Sequence, residues 1–236
     1  MLLEAHGLTA FYGPSQVLHG CSIDVADGEC VAVLGRNGVG KTTLVHALTG
    51  LMPITAGSVR LDGQDLAHRP VEKRLAAGLT LVPQGHRVFR SLTVAENLAV
   101  AVRQQNQAGA WRTDDVLQRF PILDERAEQS AASLSGGQQQ MLAVARALLG
   151  NGRLMVMDEP SEGLDPHRVA LIGRILAELK DRGTAILLIE QRVAFALKVA
   201  DRVAFMERGE IVETVSGDEV RADPESVARN LGLMVG

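Results

Sequence analysis

The sequence predicts an α/β protein built around a parallel sheet, and three observations carry that prediction. Short apolar runs recur without polar alternation, as in "CVAVLG", "LMVMDEP" and "TAILLIEQ", the pattern of strands buried on both faces. Helix-like segments stand between them. A glycine-rich loop, "GRNGVGKTT" from Gly35 to Thr43, joins one such strand to the helix that follows it.

The elements follow in order. "LLEAHGLTAFYG" and "VLHGCSIDVADGE" read as β runs with turns, and "CVAVLG" leads into the glycine loop. "KTTLVHALTGLM" places Leu44, Leu48 and Leu51 at helical spacing, and Pro53 is expected to stop that helix. "GSVRLDGQDL" reads as a strand and turn. From Gln84 to about Gly152 helices dominate: "LTVAENLAVAVRQQ", "TDDVLQRF" and "LSGGQQQMLAVARALLG", with the polar "QQNQAGAWRTDD" as a loop. The last third returns to strand–helix alternation. "LMVMDEP" precedes a helix near "HRVALIGRILAELKDRG", "TAILLIEQ" follows, and "DRVAFMERGEIVET" closes as a hairpin turning near "RG".

Bulk properties narrow the function classes. A chain of 236 residues can bury a proper core and carry a subdomain. With 46% hydrophobic and 22% charged residues it falls in the soluble globular range. A formal net charge of −4 argues against nucleic acid held by bulk charge. No run of about 18 apolar residues suggests a spanning helix, and "MLLEAHGLTA" lacks the basic start and apolar stretch of a signal peptide. A cytosolic chain is therefore expected. Cys21 and Cys30 form neither a disulfide framework nor a zinc spacing and read as small buried thiols. The six histidines make no HxxxH or HExxH pair.

The loop matches GxxxxGK[ST] at Gly35, Gly40, Lys41 and Thr42, a pattern expected by chance in about 1 in 100 chains of this length. Glycines let the backbone bend so that N–H groups along Gly35, Arg36, Asn37, Gly38, Val39, Gly40 and on to Thr43 face one anion. The helix N-terminus adds its partial positive charge. Lys41 can reach the β and γ phosphates, and Thr42 can offer a hydroxyl to Mg²⁺. "LMVMDEP" ends in Asp158 and Glu159 at the end of a parallel strand where ligands bind. Asp158 is expected to hold Mg²⁺ and Glu159 to polarise an attacking water.

"SLSGGQQQMLAVARAL" resembles the signature of ATP-binding cassette (ABC) proteins, with "LSGGQ" at Leu134 to Gln138. The spacings agree: 100 residues separate Gly35 from Ser135, and 20 separate Gln138 from Asp158. Tyr12 resembles the aromatic residue that stacks on adenine, with Phe11 an adjacent competitor. Gln84, in "VPQG", resembles the glutamine that touches Mg²⁺ and the water and senses the membrane partner. "SEGLD", Ser161 to Asp165, resembles the loop that crosses the dimer interface.

The resemblance covers nearly the whole chain and implies a P-loop NTPase (RecA-like) core with a mixed sheet, an N-terminal antiparallel β subdomain and an inserted α-helical subdomain. It implies one ABC ATPase domain over 1–236, with 1–84 and 153–236 as nucleotide-binding core and 85–152 as helical subdomain. The implied cofactors are ATP and Mg²⁺. Thr42, Gln84 and Asp158 would hold the metal, and Glu159, Gln84 and Gln191 would serve hydrolysis. Ser135, Gly136, Gly137 and Gln138 would face the ATP of a second ATPase subunit, with Ser161 and Asp165 in the dimer loop. Two membrane permease subunits and, indirectly, a solute-binding protein complete the implied assembly, placing the chain in the cytoplasm, peripheral on the inner face of the cell membrane.

One departure narrows the resemblance. The family usually places a histidine after "TAILLIE", where Gln191 stands here. A glutamine donates a hydrogen bond but carries no proton to shuttle. The "EQ" pair with "PSEGL" resembles one of the two ATPase subunits of branched-chain amino acid importers, and related urea and short-chain amide importers share it. "VPQGHRVFRSLTVAENL" and "MERGEIV" look closer to the urea type, and both cargoes stay open. The rival readings are the ATPase of another ABC system, such as an exporter, and a soluble ABC-type ATPase.

Overall fold

Apolar runs and turn glycines divide the chain into two sheets in the computed structural model, which describes residues 1–85, 87–103 and 109–222. In chain order the strands are β1 (Leu3–Tyr12), β2 (Ser15–Val25), β3 (Cys30–Leu34), β4 (Ala56–Leu61), β5 (Gln64–Asp65), β6 (Leu79–Val82), β7 (Leu154–Asp158), β8 (Ala185–Glu190), β9 (Arg202–Glu207) and β10 (Glu210–Ser216). The smaller sheet, β2-β1-β4-β5, is antiparallel. The larger has the order β10-β9-β3-β8-β7-β6. Its strands are parallel from β9 to β6, and β10 closes one edge antiparallel. This mixed sheet beside an antiparallel one is the predicted fold class.

Helices fill the crossovers. They are α1 (Lys41–Thr49), α2 (Val71–Ala76), α3 (Val94–Ala99), α4 (Thr113–Arg119), α5 (Pro121–Glu125), α6 (Gly136–Leu149), α7 (Pro166–Asp181), α8 (Val193–Val199) and α9 (Gly217–Ala222). α3 to α6 lie between β6 and β7. Period-two side-chain direction splits the core into two layers across the large sheet. Val31, Val33, Val156, Leu187 and Ile189 pack toward the antiparallel sheet and α1. Cys30, Ala32, Met155, Met157, Ile186 and Leu188 pack toward α6 and α7. Burial on both faces is why these strands read as unbroken apolar runs.

Two helices end earlier than the sequence suggests. α1 stops at Thr49, four residues before Pro53, because Gly50 takes the left-handed conformation at φ 78°. The carbonyls of Ala47 and Leu48 are taken by Nη1 of the buried Arg74 at 2.8 and 2.7 Å. Among its described residues, "LTVAENLAVAVRQQ" is helical over Val94–Ala99. There Ala101 N–H bonds the Leu98 carbonyl three residues back, and Arg103 N–H leaves to bond the Leu149 carbonyl. Of the expected loop over 104–115, residues 113–115 instead open α4, and residues 104–108, His86 and everything after Ala222 lie outside the described residues.

A latch ties the inserted helices to α7. Glu178 accepts from Arg119 Nε at 2.7 Å and from Arg182 Nη2 at 2.6 Å. Both guanidinium groups lie over the Trp111 ring, at 4.9 and 4.0 Å from its centroid. Cys21 and Cys30 are free and buried, as expected. Burial pushes the Cys21 thiol up to about 11 and the Cys30 thiol up to about 12.

Candidate functional site

The C-terminal ends of four neighbouring strands, β3, β8, β7 and β6, meet at one cleft. The glycine loop follows β3, Gln84 follows β6, Glu159 follows β7 and Gln191 follows β8. The cleft has a volume of about 300 Å³ and is lined by Asn37, Gly38, Gly40, Lys41, Thr42, Thr43, Gln84, Glu159 and Gln191, among others. Residues 154 positions apart in sequence thus share one cavity because parallel strands present their C-terminal ends on one side.

Glycine is required in this loop by contact and by torsion. A Cβ at Gly35 would sit 2.5 Å from the Met206 carbonyl oxygen. Gly40, the N-cap of α1, has φ 112°. Lys41 is buried beneath the loop, where its Nζ donates to the Gly35 and Arg36 carbonyls at 2.8 and 3.0 Å. Gly209 N–H fixes the far side by donating to the Val39 carbonyl at 2.8 Å.

Glu159 is the centre of a polar network. It has φ 51°, a left-handed torsion that a non-glycine residue adopts at a cost of about 1–3 kcal/mol. Gln191 Nε2 donates to its Oε1 at 2.7 Å, and Gln84 Nε2 donates to its Oε2 at 3.1 Å. Lys41 Nζ stands 3.6 Å from Oε1. Two amides and an ammonium group therefore hold one carboxylate at the mouth of the loop. Among the described residues no imidazole lines this cleft.

Asp158 lies behind it, 1% exposed. Burial pushes its carboxyl up to about 6; the Thr42 hydroxyl, which donates to it, works against this, and the Glu159 charge adds to it. Asp158 Oδ1 has no protein partner. A buried, unpartnered carboxylate oxygen beside a threonine hydroxyl fits a hard cation. Among the described residues no group of three or more His, Cys, Asp or Glu side chains is placed to hold a metal. The donor set instead suits an ion that completes its shell with phosphate oxygens and water, the habit of Mg²⁺.

The other predicted residues stand outside the cleft lining. Tyr12 is 52% exposed, its hydroxyl 3.4 Å from His46 Nδ1, and Phe11 is 39% exposed beside it. Ser135 caps α6: its N–H bonds Gln138 Oε1 at 2.9 Å, and Gln138 N–H bonds its Oγ at 3.4 Å. Gly136 opens that helix. Gly137 packs so closely that a Cβ there would meet Arg168 Nη1 at 2.7 Å. Asp165 caps α7 through the His167 and Arg168 N–H groups. Ser161 N–H donates to buried Glu190 at 3.0 Å.

The model of the ABC transporter family matches residues 18–162. This chain belongs to the ABC transporter ATPase family. It is 39% identical to the high-affinity branched-chain amino acid transport ATP-binding protein BraG of Pseudomonas aeruginosa, over 95% of this chain and 97% of that one. The glutamate/aspartate import ATP-binding protein GltL of Escherichia coli is 34% identical, with 95% of each chain covered. The lipopolysaccharide export system ATP-binding protein LptB of Haemophilus influenzae is 32% identical, over 95% of this chain and 94% of that one. A solved ATP-binding subunit of an ABC transporter superposes with a TM-score of 0.84 at 28% identity, covering 100% of this chain and 95% of that one.

The site also includes residues to which the sequence gives no individual role. Val17 and Glu162 line the cleft. Glu190 is 1% exposed and accepts the N–H groups of Ser161, Gln191 and Arg192 at 3.0, 3.1 and 3.3 Å. It thus fixes the loops after β7 and β8 together. Its signal, a charge ending the apolar strand "TAILLIE", was visible but had no partner in sequence.

Proposed function

We infer that this ABC ATPase energises a membrane importer of branched-chain amino acids or of urea and short amides, by ATP hydrolysis at a Mg²⁺-dependent site shared between two cassettes. The observation that carries the chemistry is the carboxylate of Glu159, held by Gln84 and Gln191 in front of the phosphate loop. A carboxylate so held can take the proton of an attacking water, a role worth about 10²–10⁴ in rate. Lys41 and the N–H groups at the start of α1 would bind the phosphates. Thr42, Asp158 and Gln84 would hold Mg²⁺, which when bound neutralises charge on the β and γ phosphate oxygens. Gln191 serves by donating hydrogen bonds, with no proton of its own to transfer.

Ser135 to Gln138 would complete the cleft of a second ATPase subunit, and Ser161 and Asp165 would cross that interface. Tyr12, exposed at the end of β1, is free to stack on adenine. An apolar groove of about 390 Å³, with Leu51, Leu75, Pro83, Phe89 and Val100 in its lining, supports docking of a short helix from a permease subunit. Among the described residues no helix is long and apolar enough to cross a membrane, which fits a peripheral place on the inner face held by such docking. The likeness to BraG favours amino acid cargo over urea. The likeness to LptB keeps an exporter as the second reading.

Reconstitution with candidate permease subunits tests the reading. ATP-dependent accumulation of labelled leucine in vesicles, supplied with the cognate binding protein, is the expected result. Accumulation of urea instead would reassign the cargo, and outward movement alone would overturn import.

A further inference from the structure

Glu162 lines the nucleotide cleft, and the chemistry above gives it no task. Its Oε2 accepts from Gln84 Nε2 at 3.2 Å, while Glu159 Oε2 accepts from the same nitrogen at 3.1 Å. A carboxamide nitrogen has two N–H donors, and its oxygen has none. Here both donors are directed to carboxylates. The network therefore decides which end of the amide is nitrogen. Turning the amide over would set its oxygen against two anionic oxygens.

The arrangement leaves the Gln84 oxygen as the end available to a cation. With Glu159 alone the amide would have a single anchor, and that anchor must also engage the attacking water. A second carboxylate keeps the amide oriented when Glu159 does so. The fold makes the bond possible because β6 and β7 pair in parallel from Leu79–Leu154 to Val82–Met157. The loops that follow them, carrying Gln84 and Glu162, leave the sheet side by side. The bond also joins the loop after β7 to the loop that leads to the permease-docking groove.

We propose that Glu162 is a positioning residue for hydrolysis: it orients the Gln84 amide so that its oxygen meets the metal ion. The proposal rests on the reading of Gln84 as a metal-holding residue. Its test is Mn²⁺ binding to the intact chain with a non-hydrolysable ATP analogue, followed by electron paramagnetic resonance, beside the Mg²⁺ concentration giving half-maximal ATPase.

Glu162→Ala is expected to weaken Mn²⁺ binding about tenfold, as losing a group that orients a metal ligand does. Glu162→Gln keeps an acceptor oxygen and should stay within about twofold of the parent, the scale of a neutral surface change. In a Gln84→Ala background, Glu162→Ala should add nothing, because it acts through the amide. Parental Mn²⁺ affinity in Glu162→Ala, with Gln84→Ala weakened, overturns the role of Glu162 alone. Parental affinity in Gln84→Ala overturns the metal role of Gln84 and this proposal with it.

Discussion

At the residue scale the account turns on Glu159. Its carboxylate receives two side-chain amides and faces a buried lysine. Glu159→Gln keeps the shape and removes the base, so turnover should fall by about 10²–10⁴ while ATP binding persists. Steady-state phosphate release and equilibrium binding of labelled ATP measure the two effects separately. Gln191→Ala removes one hydrogen bond to a charged group, worth about 1.5–3 kcal/mol. A loss of roughly tenfold to a hundredfold in kcat is expected, and unchanged kcat would remove Gln191 from the mechanism. The thiols carry a different prediction. Both titrate above the ordinary value of 9.0 because they are buried. The folded chain therefore keeps them protonated where the unfolded chain loses protons. Stability from this source is full below about pH 9 and is lost as pH rises toward 11 and 12. Cys30→Ala should flatten the alkaline decline in a urea-unfolding series.

At the element scale, the ends of helices carry consequences that the sequence hid. Arg74 is 2% exposed, and its guanidinium donates to the carbonyls of Ala47, Leu48, Ala67 and Arg69. Arg74→Met would leave buried acceptors without donors, at about 1–3 kcal/mol each when unsatisfied. A destabilisation of about 2–4 kcal/mol in urea is expected, and a change under 0.5 kcal/mol would contradict this capping role. Residues 71–76 and strand β6 leave little trace in the sequence, because such short pieces give weak periodicity. Gly50 is a stop signal in its own right and ends α1 ahead of Pro53. Strands β3, β7 and β8 and helices α6 and α7 are legible because burial on both faces or along one stripe writes itself into composition. Phe89, 48% exposed under Arg146, tests the groove. Phe89→Asp should leave the ATPase rate of the isolated cassette within about twofold, as a surface change, while abolishing co-purification with the permease.

At the scale of the whole molecule, the site divides unequally between what was legible and what was not. The GxxxxGK[ST] motif, Asp158 and Glu159 stand out in the sequence because phosphate and metal chemistry dictates residue types at fixed spacing. Glu162 and Glu190 could not, since their meaning lies in contacts between loops after different strands. Nor could sequence show that Ser135 and Gln138 first satisfy each other at the start of α6. That reciprocal cap satisfies the first N–H groups of α6 within the chain, where the proposed function places another cassette's nucleotide. The most direct test of a shared site is the mass of Glu159→Gln in solution with Mg²⁺ and ATP, by light scattering during size exclusion. The account predicts monomers without nucleotide and a stable dimer holding two ATP molecules with it. A monomer at saturating ATP that still hydrolyses at the parental rate would contradict both the base and the shared site.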